Sequence, residues 1–383
     1  MPRTTGTYHT TTVAGESVRA FVPFPLPPAD PPLEVAGALA ELHAAALASL
    51  SRLAVAATLV PNTDWFLYGF VRKEAVITSE IEGTQATLQD VVTFETTRHA
   101  ERPDDVREIC NYIDALTYAR KQIQSARGLP LSSRLLCEAH KRLMRGARGS
   151  DKLPGEIRRS QNWIGGTRPG TARFVPPPPN EVPDAMSRLE RWVHADDPLP
   201  PLIRAGLAHV QFETIHPFLD GNGRIGRLLV TLLLEHWSLL DSPILYLSHA
   251  IRRRQQEYYA RLIAVRDNGD WEGWTAFFLE CVRDAADDGV NAAQRIFALL
   301  SRDRQRLVAS ALATVPAIQL FDKLPSHPVV TLQSTVDLLN VSKPTAVKAI
   351  DALEEVGILL ETTGRKRDRV YAYQTYLDAL DSP

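Results

Sequence analysis

A repeating apolar face marks the strongest predicted element of the chain. Ile225, Leu228, Leu229 and Leu232 stand at positions i, i+3, i+4 and i+7. This spacing places their side chains on one face of an α-helix. The pattern therefore predicts a helix over residues 223–237.

The same period recurs along most of the chain. It predicts helices at residues 33–59, 67–82, 104–128, 132–144, 183–194, 202–213, 250–266, 271–300 and 303–314. Thr87 followed by Asp90 has the form of a loose capping box, which predicts one more short helix. The expected fold class is therefore mostly α.

Two segments depart from the helical pattern. Residues 1–33 are polar and then proline-rich, which predicts an arm or loop. Residues 162–175 predict two short strands around a glycine-rich turn, and the run 176–179 of prolines ends them. A long connection of this kind between helices is uncommon in a compact domain and is usually functional.

The last part of the chain has an organisation of its own. Residues 331–339 and 342–356 predict two helices joined by a short turn. Residues 358–373 predict a two-stranded hairpin with a basic turn. Helix, turn, helix and hairpin in this order are typical of a winged helix-turn-helix domain.

Charges on this C-terminal segment leave its partner open. Lys343 and Lys348 of the second helix, with the basic residues 365–367 of the turn, could contact DNA phosphates. Asp351 and Glu354 weaken that basic surface, and winged helices also bind proteins. A DNA or a protein partner is therefore possible.

Composition and charge narrow the function class. A length of 383 residues predicts two or three domains. The formal net charge of −2 disfavours a wholly basic nucleic-acid binder. The three cysteines are far apart and build neither a disulfide framework nor a zinc site. No run approaches the roughly 18 apolar residues of a membrane helix, so we expect a cytoplasmic protein with no membrane segment.

The candidate chemistry lies just before the strongest helix, in residues 216–227. The loop brings Gly221, Asn222 and Gly223 to a helix N-terminus, where unsatisfied N–H groups and the helix dipole favour an anion. Arg224 and Arg227 follow about one turn apart and off the centre of the apolar stripe. These residues predict a site that binds a polyphosphate.

Two further side chains of the same stretch suit a reaction at that phosphate. His216 can act as a general base, since an unperturbed histidine with a pKa of about 6.5 is mostly neutral at pH 7. Asp220 offers the hard oxygen ligand that Mg²⁺ prefers. The stretch is not a P-loop, because no Gly-Lys-Ser/Thr follows it.

At this point the sequence resembles the Fic family. The family signature His-Pro-Phe-x-(Asp/Glu)-Gly-Asn-Gly-Arg-x-x-Arg is matched at every fixed position by residues 216–227. Residues 74–84 resemble the N-terminal segment of the family, and residues 158–167 are similar to its flap. The resemblance implies a Fic helical core with a small β-hairpin flap, followed here by the winged helix-turn-helix domain.

The resemblance also implies an activity, which is transfer of AMP from ATP to Ser, Thr or Tyr hydroxyls of proteins, including the protein itself. His216 would take the hydroxyl proton, and Asp220 would hold Mg²⁺. The intact Gly221-Asn222-Gly223 favours AMP transfer over phosphorylation. The nucleotide would contact Gly221, Asn222, Gly223, Arg224, Ile225, Gly226 and Arg227, with Ile164, Gly165, Gly166, Thr167 and Tyr258.

The resemblance also implies autoinhibition. Thr78, Glu82 and Gly83 match the (Ser/Thr)-x-x-x-Glu-(Gly/Asn) pattern of the inhibitory helix in class II type relatives. A Glu82 carboxylate that reached Arg227 would occupy its guanidinium and repel the γ-phosphate. From spacing alone, Glu82 could equally be a solvated residue at a helix end.

Several alternatives stay open. The chain could be a DNA-binding regulator with a nucleotide-sensing Fic core, or an enzyme that removes AMP while Glu82 positions a water. Tyr258 could be a core aromatic, the flap could be an ordinary surface hairpin, and a homodimer is possible. Three segments are predicted. Residues 1–100 form an N-terminal helical segment with the inhibitory helix, residues 101–300 form the Fic catalytic core, and residues 301–383 form the winged helix-turn-helix domain.

Overall fold

The structure is a computed structural model that describes residues 3–58 and 63–381. Helices dominate it, and two small antiparallel sheets complete the named elements. The expected end of the first helix near residue 59 lies outside the described residues. A mostly α-helical fold is confirmed.

The helices of the first part begin and end close to their predicted limits. They are α1 (Ala38–Thr58), α2 (Thr63–Ile81), α3 (Leu88–Thr97), α4 (Pro103–Gln124), α5 (Ser133–Leu143), α6 (Val182–His194), α7 (Pro201–Ile215) and α8 (Asn222–His236). Local chemistry sets several starts. The Thr87 hydroxyl accepts from the Asp90 N–H in a complete capping box, and the Ser132 hydroxyl accepts from the Leu135 N–H at the start of α5.

The helices of the second part differ from prediction at several places, and two of these helices, at residues 315–323 and 374–381, were not predicted. They are α9 (Leu247–Arg253), α10 (Gln255–Asn268), α11 (Trp271–Ala309), α12 (Val315–Lys323), α13 (Leu332–Leu339), α14 (Lys343–Glu355) and α15 (Gln374–Asp381). The single helix predicted at 250–266 is two helices, because Arg254 leaves helical geometry with φ −119° and ψ 29°. The separate helix predicted at 303–314 was wrong. Its first residues continue α11, since no glycine or proline interrupts the chain there.

Residues near the N-terminus form a β-hairpin, so the predicted arm or loop was wrong. Strand β1 (Gly6–Val13) pairs antiparallel with β2 (Glu16–Pro23), and Ala14 and Gly15 form the turn at positive φ. Such a two-residue turn matches the twist of a hairpin. Threonines make most of β1 polar, yet threonine is β-branched and suits a strand.

The second sheet belongs to the C-terminal segment. Its strands are β3 (Val329–Thr331), β4 (Leu360–Glu361) and β5 (Val370–Ala372), antiparallel in the order β3-β5-β4. The two predicted strands pair as expected, and β3 adds a third that the sequence analysis missed. The turn between α13 and α14 contains Asn340 at φ 52°.

The chain forms two compact units, and each is discontinuous in sequence. The first comprises Met1–Ser51, Cys110–Pro243 and Leu247–Ala285, and the second comprises Arg52–Ile109, Ile244–Tyr246 and Ala286–Pro383. These limits fall inside α1, α4 and α11 and do not coincide with the segment limits predicted at residues 100 and 300.

Each unit has its own apolar interior. In the first, α7 is buried along most of its length, and the indole of Trp274 donates to the Gly206 carbonyl at 2.9 Å. In the second, Val92 of α3 packs in one cluster with Val329, Val370, Ala372 and Leu377, and Tyr68 of α2 packs against that cluster. Helices α2 and α3 therefore share a core with the C-terminal sheet.

Helix α1 bears on the expectation that the chain has no segment able to cross a membrane. Its 21 residues reach a mean hydropathy of 1.3 over 18 positions, which is long and apolar enough to cross a membrane by length and composition. The alanine-rich sequence explains this value. Core helices of soluble proteins and signal sequences also reach this length and hydropathy, so α1 is only weak evidence for a membrane segment.

Candidate active site

The predicted site is built on the loop between α7 and α8 in the first unit. Helix α7 ends at Ile215, and His216 follows in left-handed geometry with φ 50°, its N–H donating to the Phe212 carbonyl at 2.9 Å. Gly221, with φ 73°, directly precedes α8. A side chain at Gly221 would be strained at this φ and would approach the Met144 sulfur at 3.1 Å. The loop thus delivers its residues to a helix N-terminus, as the sequence predicts.

Asn222 holds this loop closed. Its Oδ1 accepts from the Phe218 N–H at 2.8 Å, and its Nδ2 donates to the Phe218 carbonyl at 2.8 Å. The residue is only 2% exposed. The Asn222 side chain therefore bonds to loop backbone, and its predicted contribution to a phosphate cradle falls on the backbone N–H groups of the helix start.

His140 supports the same loop from α5. Its ring stacks on Phe218 with centroids 3.9 Å apart. Gly155 N–H donates to Nδ1 at 2.9 Å, so Nδ1 is unprotonated and Nε2 donates to the Asp220 carbonyl at 3.0 Å. This arrangement requires the neutral ring, and burial lowers the pKa of His140 to about 4.

Protonation of buried histidines should therefore destabilise the protein in mild acid. Burial lowers the pKa of both His140 and His209 to about 4, against about 6.5 in an unfolded chain. The stabilisation is complete above pH 6.5 and is lost as the pH falls from 6.5 towards 4, because the unfolded chain then binds protons first. Each histidine contributes about 3 kcal/mol to that loss.

Calorimetric melting between pH 7.5 and 4.5 measures this effect. The variant His140→Gln should show a shallower fall of Tm with pH than the wild type. The variant His9→Gln, at an exposed position of β1, is the matched control and should keep the wild-type slope. Equal slopes in all three proteins would contradict the assignment of the neutral ring.

Asp220 has the position and exposure of a metal ligand. Its side chain is 46% exposed, and its Oδ1 accepts from the Gly221 N–H at 2.6 Å and lies 4.0 Å from the Arg224 guanidinium. Gly149 lies so close that an added Cβ would stand 2.6 Å from Oδ2. Mg²⁺ is commonly held by one or two carboxylates together with substrate phosphates, and a half-exposed carboxylate beside a helix N-terminus fits that donor set.

The two arginines of the motif are buried rather than displayed at the surface. Arg224 is 4% and Arg227 is 2% exposed. Arg224 lies on the first turn of α8, and its guanidinium is 4.0 Å from Asp220 in the preceding loop. A polyphosphate at this end of α8 would therefore meet positive charge held in a fixed place by packing.

Ile225 and Gly226, also predicted to contact nucleotide, lie inside the fold. Ile225 is fully buried. A Cβ on Gly226 would meet Glu213 Oε1 at 2.4 Å and His209 Cε1 at 3.3 Å. Glycine at position 226 therefore allows α8 to approach α7 closely, which is a packing role.

Tyr258 is held in the same interior. Its ring is 2% exposed, and its hydroxyl donates to His209 Nε2 at 2.9 Å while His209 Nδ1 donates to the Gly226 carbonyl at 3.0 Å. Trp274 packs beside it, with ring centroids 6.0 Å apart. The structure places Tyr258 among core aromatics, as the alternative interpretation of the sequence held.

The flap does not contain the two strands that the sequence predicted, so this prediction was wrong. Only Ile164 and Phe174 pair, through N–H to carbonyl bonds of 2.8 and 3.1 Å. Gly165 and Gly166 both take positive φ, and a 3-10 turn at Pro169–Thr171 follows, so no longer ladder forms. The predicted nucleotide contacts Ile164, Gly165, Gly166 and Thr167 are all exposed at the tip.

The N-terminal hairpin braces this flap. Phe21 N–H donates to the Val175 carbonyl at 2.9 Å, and Glu16 accepts from the Gly170 N–H at 2.8 Å. Glu16 also pairs with Arg168 at 3.5 Å. The hairpin thus extends the flap on one side, a role invisible in a segment interpreted as a loop.

The predicted inhibitory residues lie at the end of α2 in the second unit. Thr78 is buried within α2, which ends at Ile81. Glu82 is exposed just beyond that end, and its N–H donates to the Ser79 carbonyl at 3.0 Å. Gly83 follows at φ 99°, as a helix terminator does. The predicted contact of Glu82 with Arg227 stays a prediction.

Sequence models of two domains match the chain. Residues 40–121 match the model "Fic/DOC family N-terminal", and residues 130–234 match "Fic/DOC family". The protein adenylyltransferase Fic of Drosophila erecta is 30% identical over 212 residues, which are 54% of this chain and 39% of that protein. The chain thus spans about two fifths of the length of the curated relatives it matches.

Two solved structures share the fold. A Fic family protein from Desulfovibrio desulfuricans G20 aligns with TM-score 0.57 and 25% identity, covering 89% of this chain and 97% of that one. A Fic domain containing signaling protein from Bacteroides thetaiotaomicron VPI-5482 aligns with TM-score 0.51 and 18% identity, covering 64% and 95%. The chain therefore carries the N-terminal and the Fic domain of the Fic/DOC family and is homologous to protein adenylyltransferase Fic.

Proposed function

We propose that this protein is a protein adenylyltransferase, which transfers AMP from ATP to hydroxyl side chains of proteins, itself included. The observation that carries the proposal is one loop that places His216 beside the glycine-bordered N-terminus of α8, with Arg224 and Arg227 buried on that helix. The relatives named protein adenylyltransferase support the same reaction.

Each group has a task in that reaction. His216 accepts the proton of a Ser, Thr or Tyr hydroxyl, whose oxygen attacks the α-phosphorus while pyrophosphate leaves. The first N–H groups of α8 and the two arginines neutralise phosphate charge. Asp220 would hold Mg²⁺, which supplies further charge neutralisation when bound. The flap, residues 162–175, would pair with an extended target segment by strand addition at a position other than Ile164, whose backbone already bonds to Phe174.

The second part of the proposal is autoinhibition. Glu82 lies one turn beyond Thr78, at the end of a helix whose core partners belong to the second unit. A carboxylate there that pairs with Arg227 would exclude the γ-phosphate from that guanidinium. The enzyme at rest would then bind ATP in an unproductive way.

Labelled ATP tests the reaction directly. We expect label from [α-³²P]ATP with Mg²⁺ to become attached to protein, and label from [γ-³²P]ATP to remain in solution. Mass spectrometry of the labelled protein should place AMP on a hydroxyl side chain. Transfer of the γ-label would instead show phosphorylation and overturn the proposal.

The C-terminal segment favours a second function, DNA binding through a winged helix. Exposed Lys343 and Lys348 lie on α14, and exposed Arg365, Lys366 and Arg367 lie between β4 and β5. Phosphate contacts from such groups would make binding weaken steeply with salt. Salt-dependent binding to duplex DNA without any AMP labelling would favour this function.

Release of AMP from a modified protein would instead favour the third alternative, an enzyme that removes AMP.

A further inference from the structure

Arg158 is a buried cation that hydrogen-bonds both to the loop between α7 and α8 (residues 216–221, the catalytic loop) and to the two ends of the flap. The residue is 1% exposed. Its side chain donates through Nε to the His216 carbonyl at 2.9 Å, through Nη2 to the Pro177 carbonyl at 2.6 Å and through Nη1 to the Ser160 carbonyl at 3.3 Å. Burial lowers the pKa of Arg158 to about 10, so the group stays charged at neutral pH.

The backbone of Arg158 adds a fourth bond to the same loop. Its N–H donates to the Pro217 carbonyl at 2.9 Å. Main chain and side chain of one residue thus bind the carbonyls of two successive loop residues. A planar guanidinium with five donors in a fixed geometry can bind three diverging carbonyls at once.

His216 needs such support because its own backbone is unfavourable. A non-glycine residue in left-handed geometry costs about 1–2 kcal/mol, and such a residue persists only where its surroundings over-determine it. The φ of His216 is 50°, and this angle sets the direction in which the imidazole leaves the chain. The bond from Arg158 to the His216 carbonyl fixes the peptide plane next to that angle.

The other two acceptors belong to the flap. Ser160 lies just before the flap (residues 162–175) and Pro177 lies just after it. The two ends of the flap, its limbs, therefore meet at the guanidinium that also bonds to the His216 carbonyl. We propose that Arg158 is a positioning residue, which sets the direction of the His216 side chain and registers both limbs of the flap against it. This inference rests on the proposed AMP transfer for its kinetic test, but it has a structural test of its own.

The chain offers a matched control in Arg204. This arginine is also buried, at 6% exposure, and it also donates to three carbonyls, those of Trp192, Val193 and Ala195, at 2.7–3.1 Å. Those acceptors lie at the end of α6 and not in the catalytic loop. Removing Arg204 therefore also removes three hydrogen bonds from a buried guanidinium to backbone carbonyls, but none of them reaches the catalytic loop.

Self-labelling in the Glu82→Gly background tests the kinetic claim. With saturating ATP, Arg158→Ala should slow AMP transfer by about 10²-fold, the loss that a misplacement of about 1 Å can cause. The Kd for ATP should change less than about threefold. Millimolar methylguanidinium should restore part of the rate, and Arg158→Lys should lie between wild type and Arg158→Ala. The variant Arg204→Ala should keep its rate within about threefold at a temperature where both variants are folded.

Hydrogen exchange tests the structural claim even if no variant transfers AMP. In Arg158→Ala, amides of the segment 214–218 should exchange faster than in wild type, whereas Arg204→Ala should leave that segment unchanged. Equal exchange of the segment in Arg158→Ala and wild type would overturn the inference whatever the reaction is. Equal rate losses in the two arginine variants would also overturn it.

Discussion

Replacing His216 by alanine is expected to abolish AMP transfer. The rate should fall by about 10²–10⁴-fold, the range associated with loss of a general base. The helix N-terminus, Arg224 and Arg227 remain, so the Kd for ATP should change little. The measurement is incorporation of label from [α-³²P]ATP at saturating Mg-ATP, with Kd determined by calorimetry on the same preparations.

The control for this variant is His9→Ala. His9 is an exposed histidine on β1 of the same unit, and its removal should leave the labelling rate unchanged. Melting curves establish that both variants are folded. Labelling by His216→Ala at the wild-type rate would remove His216 from the mechanism, and a different base would have to be found.

Replacing Glu82 by glycine is expected to raise AMP transfer by about tenfold or more, which corresponds to about 1.4 kcal/mol. In the proposed autoinhibition, the carboxylate would then no longer compete with the γ-phosphate for Arg227. The substitution is mild for the fold, because Glu82 lies just beyond the end of α2 and is exposed. Initial rates of self-labelling with saturating Mg-ATP provide the measurement.

Two controls separate charge from backbone effects at this position. Glu82→Gln keeps the size of the side chain and removes its charge, so it should activate as well if repulsion of the phosphate is the cause. Glu101→Gly makes the same exchange at another exposed glutamate of the second unit and should have no effect. If Glu82→Gly is no faster than wild type, the autoinhibition proposal fails.

The catalytic loop could be predicted from sequence because its signals are local. The apolar period of α8 and the glycines before it define a helix start within one residue of the observed Asn222. The capping box at Thr87 is local in the same sense. Such features depend on neighbours in the chain, which a sequence displays.

The missed features depend on distant partners. The pairing of β1 with β2 is local, but the bond from Phe21 to Val175 that joins the hairpin to the flap connects residues more than 150 positions apart. The roles of His140 and Arg158 follow from carbonyls that reach them only in the folded chain. The flap was predicted with too many paired residues, because strand propensity cannot show that two glycines at positive φ end the ladder.

The shared core of α2, α3 and the C-terminal sheet has a consequence for how the chain is made. Every residue of the first unit precedes residue 286, whereas the second unit needs residues 286–383 to complete the core around Tyr68 and Val92. Domains generally fold as their residues emerge during synthesis. The growing chain therefore contains the catalytic loop, His140 and Arg158 before residues 286–383 are made. Helix α2, which ends just before Glu82, acquires its packing partners only afterwards. A chain cut short near residue 285 would keep every residue of the first unit and lose the residues of the second unit that pack against α2 and α3.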